Sequence, residues 1–255
     1  MRSYSINGNN AASVNGTTLP NINLKPVRIS EWEAGLNVAF LNNRLSLDVA
    51  YYTKNTKDDI AKVSISTGSG FSSAIMNVGE IQNQGIEILL NTVPIHTKNF
   101  YWNSTFNIAC NDSKVKYLGE DVENLTIDGA LSRSGKVSIQ NIVGESYGQL
   151  VGYKYMRDDK GNIVYKNGIP QASANTHILG SGVYKLTGGW RNELSYKNWT
   201  LAFLLDFKVG AKLFSGTNYN LYSYGLHKNT LEGRGNDGKG MITGQGVKLD
   251  NNGNY

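Results

Sequence analysis

The chain has 255 residues, room for one large domain or two small ones, and 40% of them are hydrophobic, enough for a core. No apolar run approaches the roughly 18 residues of a membrane-spanning helix, so no such helix is expected. The net charge of +5 comes from Lys and Arg scattered along the chain (Lys54, Lys57, Lys62, Lys98, Lys114, Lys116, Lys208, Lys212), which argues against a nucleic-acid surface, and the single cysteine, Cys110, excludes an internal disulfide. Gly is abundant at 29, Tyr at 15 outnumbers Phe and Trp together, and Pro is scarce at 4, a profile of strands and turns.

In chain order, MRSYSINGNN has no apolar segment after Arg2 and does not read as a signal peptide. Residues 1–28 are rich in Asn, Gly, Ser and Thr and predict loop, with the end of a strand at Ser3–Ile6. The first strong signal is SEWEAGLNVAFLNNRLSLDVAYYTK, residues 30–54. Trp32, Ala34, Leu36, Val38 and Phe40 fall on one parity, and Glu31, Glu33, Gly35 and Asn37 on the other. After a turn at Asn42-Asn43-Arg44 the alternation resumes, with Leu45, Leu47, Val49 and Tyr51 opposed to Ser46, Asp48, Ala50, Tyr52 and Lys54. This period of two predicts a hairpin with one apolar and one polar face.

Residues 61–78 predict a Gly/Ser-rich connection. GIEILLNTVPI (85–95), the turn HTKN (96–99) and FYWNSTFNIACN (100–111) predict a second hairpin, with Cys110 on its apolar parity. A long stretch, 112–182, follows. Within it YKYMRDDKGNIVYKNG predicts two short strands about Asp159-Lys160-Gly161-Asn162. LTGGWRNELSY (186–196) and WTLAFLLDFK (199–208), joined by Lys197-Asn198, predict a third hairpin, and a Gly/Asn/Lys-rich tail runs to Tyr255.

Every hairpin turn is tight, and every connection between hairpins is long. A soluble sandwich keeps its connections mostly short at both ends, whereas membrane barrels have short periplasmic turns and long extracellular loops. Trp32 to Phe40, at roughly 3.3 Å per residue and a tilt near 40°, covers roughly 23 Å of membrane normal, against an apolar band of about 25 Å. The opposite face carries Glu31, Glu33, Asn37, Asp48, Lys54, Glu87, Asn91, Asn103, Asn107, Arg191, Glu193 and Asp206, which would be costly in a dry core and cheap in a wet lumen. Phe40, Phe100, Trp102, Tyr196 and Trp199 stand beside the tight turns, where an interfacial aromatic girdle belongs. The expected fold is all-β: part of an antiparallel transmembrane β-barrel, about six or more strands.

LKPVRISEWEAGLNVAFLNNRLSLDVAYYTKNTKD, NVGEIQNQGIEILLNTVPIHTKNFYWNSTFNIACNDSKV, VGESYGQLVGYKYMRDDKGNIVYKNGIPQ and LTGGWRNELSYKNWTLAFLLDFKVGAKLFSGT cover most of residues 24–220. Together, and in family order, these stretches resemble the barrel of SusC/RagA-type TonB-linked outer-membrane transporters of Bacteroidota. The resemblance implies a 22-stranded barrel in the outer membrane with an N-terminal plug, driven by TonB. It also implies import of oligosaccharides or peptides with a SusD-like surface lipoprotein as partner. No stretch resembles the family's signal peptide, TonB box, plug or last strands, so residues 1–255 are expected to be an internal part of the barrel domain.

His96, His177 and His227 show no metal-ligand spacing, DDKGN at 158–162 lacks the alternating acids of a calcium loop, and GRGNDGKG at 233–240 lacks the strand and helix of a phosphate cradle. Glu31 and Glu33 could form a glycosidase pair but are more simply polar lumen residues. No enzyme, cofactor or metal is expected. Recognition is expected from aromatic loops, whose flat faces stack on sugar rings or on each other: Tyr147, Tyr153, Tyr155, Tyr219, Tyr222 and Tyr224, with Tyr117 and Tyr165 nearby in sequence, and from Arg191 and Glu193 on the wall. A passive porin-like barrel or a soluble β-rich glycan-binding or adhesin module is the alternative.

Overall fold

A computed structural model describes residues 2–6, 9–13, 17–65, 67–128, 135–231 and 244–249. They fall into two units: Met1–Ile127, Gln140–Gly148 and Ser181–Ala211 form the first, and Asp128–Ile139, Gln149–Gly180 and Lys212–Tyr255 the second.

The first unit is built on one six-stranded sheet: β1 (Arg28–Phe40), β2 (Leu45–Lys57), β3 (Glu80–His96), β4 (Phe100–Tyr117), β5 (Leu186–Tyr196) and β6 (Trp199–Val209). Its order follows the chain without a crossover, and every neighbour is antiparallel. The three expected hairpins are therefore present, and they lie side by side. Register keeps the two parities apart across the whole sheet, because a slip of one residue would turn every side chain over. One rung runs Leu36, Val49, Ile88, Ile108, Gly188, Phe207, and the next runs Val38, Leu47, Leu90, Phe106, Trp190, Leu205. On the other face a rung runs Asn37, Asp48, Leu89, Asn107, Gly189, Asp206.

The turns are short, and the first is one residue longer than the sequence suggests and strained. The first spans four residues, with Leu41, Asn42 and Asn43 all left-handed (φ 53°, 54° and 64°). Asn tolerates this conformation, and Leu does so at a cost. Between Thr92 and Ile95, β3 bulges around Pro94, which has no N–H for the ladder. Arg44, from the neighbouring turn, donates to the carbonyls freed there, Nε to Val93 at 3.1 Å and Nη2 to Pro94 at 2.9 Å. The third turn is tied to the second, Lys197 N–H donating to Asn99 O at 2.9 Å.

The buried apolar residues of this unit lie at the opposite end from these turns. Val115, Leu118 and Leu125 form a small core against Ala61, Val63 and Val78. The connection expected over 61–78 contributes to it as a second sheet, Ile60–Ser64 antiparallel to Ser73–Asn77, with Thr18–Leu19 parallel to the latter. In the N-terminal segment, expected as loop apart from the end of a strand at Ser3–Ile6, that strand is present as Arg2–Ile6 and pairs antiparallel with a second one, Asn9–Ser13. The wall strands β3 and β4 also run on well past their expected ends at 85 and 111.

In the second unit the expected turn at 159–162 is present, closed by Asp158 and Asn162 with a single bridge between Arg157 and Ile163. The better-formed hairpin there is Val164–Lys166 with Ile169–Pro170, turning on Asn167-Gly168 (φ 52° and 77°). Asn-Gly is the residue pair that such a turn favours. The tail expected as loop holds a helix, Gly216–Ser223, capped by Ser215 Oγ accepting from Asn218 N–H at 3.2 Å. The 233–240 segment lies outside the described residues. Among those described, no helix is long and apolar enough to cross a membrane, which says nothing of strands.

Candidate functional site

The two faces of the six-stranded sheet differ in kind. On the apolar face Trp32, Leu36 and Phe40 are 59%, 61% and 54% exposed, and Leu201 and Trp199 are 62% and 81% exposed. A row of large side chains left bare in this way is what a barrel shows to lipid and what a water-soluble sheet covers. Tyr196 pairs with both Phe100 and Trp199 at the tight-turn rim, so the aromatics expected as a girdle stand together on that face. Cys110 is exposed on it as well, between Ile86 and Leu186.

One polar cluster interrupts the apolar face. Asn192 is only 1% exposed and takes the Trp102 indole N–H on Oδ1 at 3.0 Å, while its Nδ2 has no partner. Beside it the Trp190 indole donates to Ser104 Oγ at 2.8 Å, and Thr92 Oγ1 donates to Ser104 O at 3.2 Å. Two indoles thus satisfy their N–H groups on the sheet itself, as a hydrocarbon-facing surface requires. The period of two in LTGGWRNELSY puts Asn192 on the parity of Trp190 and Leu194, and nothing in the sequence marks the cover that a polar residue there needs.

The other face is a field of short polar contacts. Lys54 Nζ meets Glu31 at 3.7 Å, Asn37 Nδ2 donates to Asp48 at 2.9 Å, Tyr52 Oη donates to Asn111 Oδ1 at 2.9 Å, and Thr105 Oγ1 donates to Asn91 at 3.0 Å. Glu31, Glu33, Tyr52, Lys54 and Glu87 line a recess of about 420 Å³. A broader trough of about 720 Å³ lies over Ala50, Ala109 and Gly189, between Leu89 and Leu204, with Asp48, Glu87, Asp206 and Lys208 at its sides. This is a wetted surface, with polar groups satisfied mostly by one another.

Residues 2–234 match the model of the family described as TonB dependent receptor-like, beta-barrel. This chain belongs to that TonB-dependent receptor family. Among its curated relatives it is 31% identical, over 245 residues, to TonB-dependent receptor P3 of Formosa agariphila, and 27% identical, over 223 residues, to TonB-dependent receptor SusC of Bacteroides thetaiotaomicron. These alignments cover 83% and 82% of this chain but 23% and 22% of the relatives, so the chain spans less than a quarter of their length. Its fold is that of the RagAB peptide transporter, with a TM-score of 0.62 at 21% identity over 82% of this chain and 24% of that one. The SusC/RagA-like resemblance, the barrel-type antiparallel fold and the outer-membrane location are thereby shown.

In this receptor's wall the two charged candidates neutralise each other: Arg191 Nη2 and Glu193 Oε2 are 3.0 Å apart. Tyr147 sits at the long-loop end of the first unit, half-buried, and lines two adjoining cavities. The remaining candidates belong to the second unit. Tyr153 and Tyr155 are exposed. Tyr219 packs on Phe214 at 6.1 Å, Tyr222 stacks on His227 at 4.1 Å and takes a hydrogen bond from Asn229, and Tyr224 stands 76% exposed. Tyr222 is therefore committed on one ring face to its own loop. Asp158, within the sequence that resembles part of a calcium loop, spends its carboxylate on that loop: Oδ1 accepts from the Lys160 and Asn162 N–H groups and Oδ2 from Asn162 Nδ2. The Asn162 amide holds its pKa below the usual carboxylate value. Among the described residues no group of three or more His, Cys, Asp or Glu is placed to hold a metal ion.

Proposed function

We propose that this chain is part of the barrel wall of an outer-membrane active transporter that imports oligosaccharides, or peptides, with a SusD-like surface lipoprotein and energy from TonB. The single observation that carries the reading is the division of the sheet into an apolar face, interrupted by the cluster at Asn192, and a polar face, kept in register across three hairpins. In this reading lipid meets the apolar face, the plug and the TonB box belong to sequence beyond residues 1–255, and the tight turns face the periplasm. The chain's short share of its relatives' length is in keeping with that division of labour. The residues of the wall perform no bond chemistry: they line, seal and orient.

The test is growth of a strain lacking the gene on single polysaccharides and on peptides as sole nutrient, with and without a functional TonB. A defect confined to one nutrient, reproduced by loss of TonB and cured by the intact gene, is the expected result. Uptake indifferent to TonB would replace the active importer with a passive pore.

A further inference from the structure

Tyr147 is held with unusual care for a loop residue. Its N–H donates to Ser113 Oγ at 3.2 Å, and its carbonyl accepts from Ser181 Oγ at 2.8 Å. The next residue, Gly148, donates its N–H to Asn141 Oδ1 at 3.1 Å and accepts at its carbonyl from Gly182 N–H at 2.9 Å. Ser113, Asn141 and Ser181 are all buried. Three buried polar side chains thus serve one loop dipeptide. Buried polar groups are costly unless fully paired, and what they return is a fixed geometry. The phenol they position has no hydrogen-bond partner of its own among the described residues.

Two cavities meet at this side chain. One, of about 280 Å³, is lined by Tyr147, Asp59, Ile81, Asn83 and Ser113 among others; the second, of about 210 Å³, shares Tyr147, Asp59 and Ile81, adds Lys62 and Asn141, and is otherwise apolar, with Leu118 and Leu125 of the small core on its wall. Together they fall within the roughly 300–1,000 Å³ of small-molecule sites. Their charge balances, with one carboxylate and one ammonium, and Asp59 forms no ion pair within the described residues. Asp59 Oδ1 already accepts the Ile60 N–H at 2.9 Å, which orients the carboxylate and leaves its other oxygen for a ligand.

We propose that this double cavity, at the long-loop end of the wall, is a saccharide subsite that takes two linked sugar rings, one in each chamber. Tyr147 is the shared aromatic face, and Asp59 is the shared hydroxyl acceptor. A neutral ring needs both donors and acceptors, which the amides, hydroxyls and carboxylate here supply, and an apolar patch for its C–H face, which Ile81 supplies in both chambers and Val78, Leu118, Leu125 and Ile127 extend in the smaller one. A charged peptide side chain would be met by a charge-balanced site. The inference rests on the proposed importer and chooses the sugar among its two cargoes.

The test is binding to the full-length receptor in detergent, measured calorimetrically with a panel of neutral hexose oligosaccharides and with trilysine, for wild type, Tyr147→Ala, Tyr147→Phe, Asp59→Asn and Ser113→Ala. Binding of a panel member is expected to weaken about tenfold or more in Tyr147→Ala and Asp59→Asn. Tyr147→Phe should retain most of the affinity, and Ser113→Ala should lose part of it by releasing the Tyr147 backbone. Unchanged gel mobility of the folded barrel separates these effects from misfolding. Trilysine bound in place of every saccharide and lost in Asp59→Asn overturns the proposal in favour of a cationic peptide. Saccharide binding indifferent to Tyr147, or no saccharide binding at all, also overturns it. All three results leave the importer standing so long as uptake still requires TonB.

Discussion

The pairing of buried Asn192 with half-buried Trp102 on the lipid-side face makes a prediction with a sign that ordinary substitution logic would miss. In Trp102→Phe the indole N–H disappears, and Asn192, whose Nδ2 already lacks a partner, is left with its Oδ1 unpaired as well. An unsatisfied buried polar group costs about 1–3 kcal/mol, so the single change should destabilise the barrel by about that amount. Asn192→Leu strands the Trp102 N–H at a similar cost but removes the amide N–H₂ that was orphaned before, so the two effects nearly cancel and the net change stays within about 1 kcal/mol. The double variant Trp102→Phe/Asn192→Leu leaves nothing unpaired and should return to wild-type stability or exceed it. A urea titration of the full-length receptor in lipid vesicles, followed by the gel mobility of the folded barrel, reads all four proteins on one scale. The reasoning fails if Trp102→Phe is neutral, or if the double variant loses as much as the two single changes added together.

Two further outcomes follow from other contacts. At Gly85 an added Cβ would stand 2.7 Å from Tyr52 Oη and also meet the Cys110 carbonyl, so Gly85→Ala should cost about 1–3 kcal/mol in the same titration and lose the Tyr52–Asn111 hydrogen bond. Part of that loss should vanish in a Tyr52→Ala background, and a cost unaltered there would remove the ring from the explanation. Because the folded-state pKa of Asp158 is lowered, its contribution is present above the ordinary carboxylate value and fades as pH falls through the folded one. The Lys160 and Asn162 amides, which donate to Asp158 Oδ1, should therefore lose hydrogen-exchange protection in acid but not at neutral pH, and Asp158→Ala should remove it at both.

The six wall strands were legible because lipid and water impose a period of two that no tertiary contact has to rescue. Trp32 to Phe40 and Trp199 to Phe207 announce their faces residue by residue. The loop end was much less so. Ile60–Ser64 and Ser73–Asn77 carry Ser and Ala, whose strand preference is weak, and they pair because Val63 and Val78 pack on Leu118 and Leu125 from distant segments. The helix at Gly216–Ser223 buries no residue and has no apolar stripe to betray it, only its Ser215 cap. Of the candidate contacts, Tyr147 could be named as a loop aromatic, but nothing local marked it off from Tyr153 or Tyr155. What singles it out are Ser113, 34 positions away in one direction, and Ser181, 34 in the other. Arg191 and Glu193 were visible as wall charges, and their mutual pairing needed only the spacing of two along one strand.

The ties at the tight-turn end bear on how such a wall divides its labour. Arg44 reaches across to the Val93 and Pro94 carbonyls, and Lys197 N–H reaches to Asn99 O, so each hairpin tip is fastened to the next outside the regular ladder. The turn margin is fastened tip to tip by contacts that use no residue of the opposite margin. Excursions at that opposite margin can then lengthen, shorten or change their chemistry without loosening the ties at the turns.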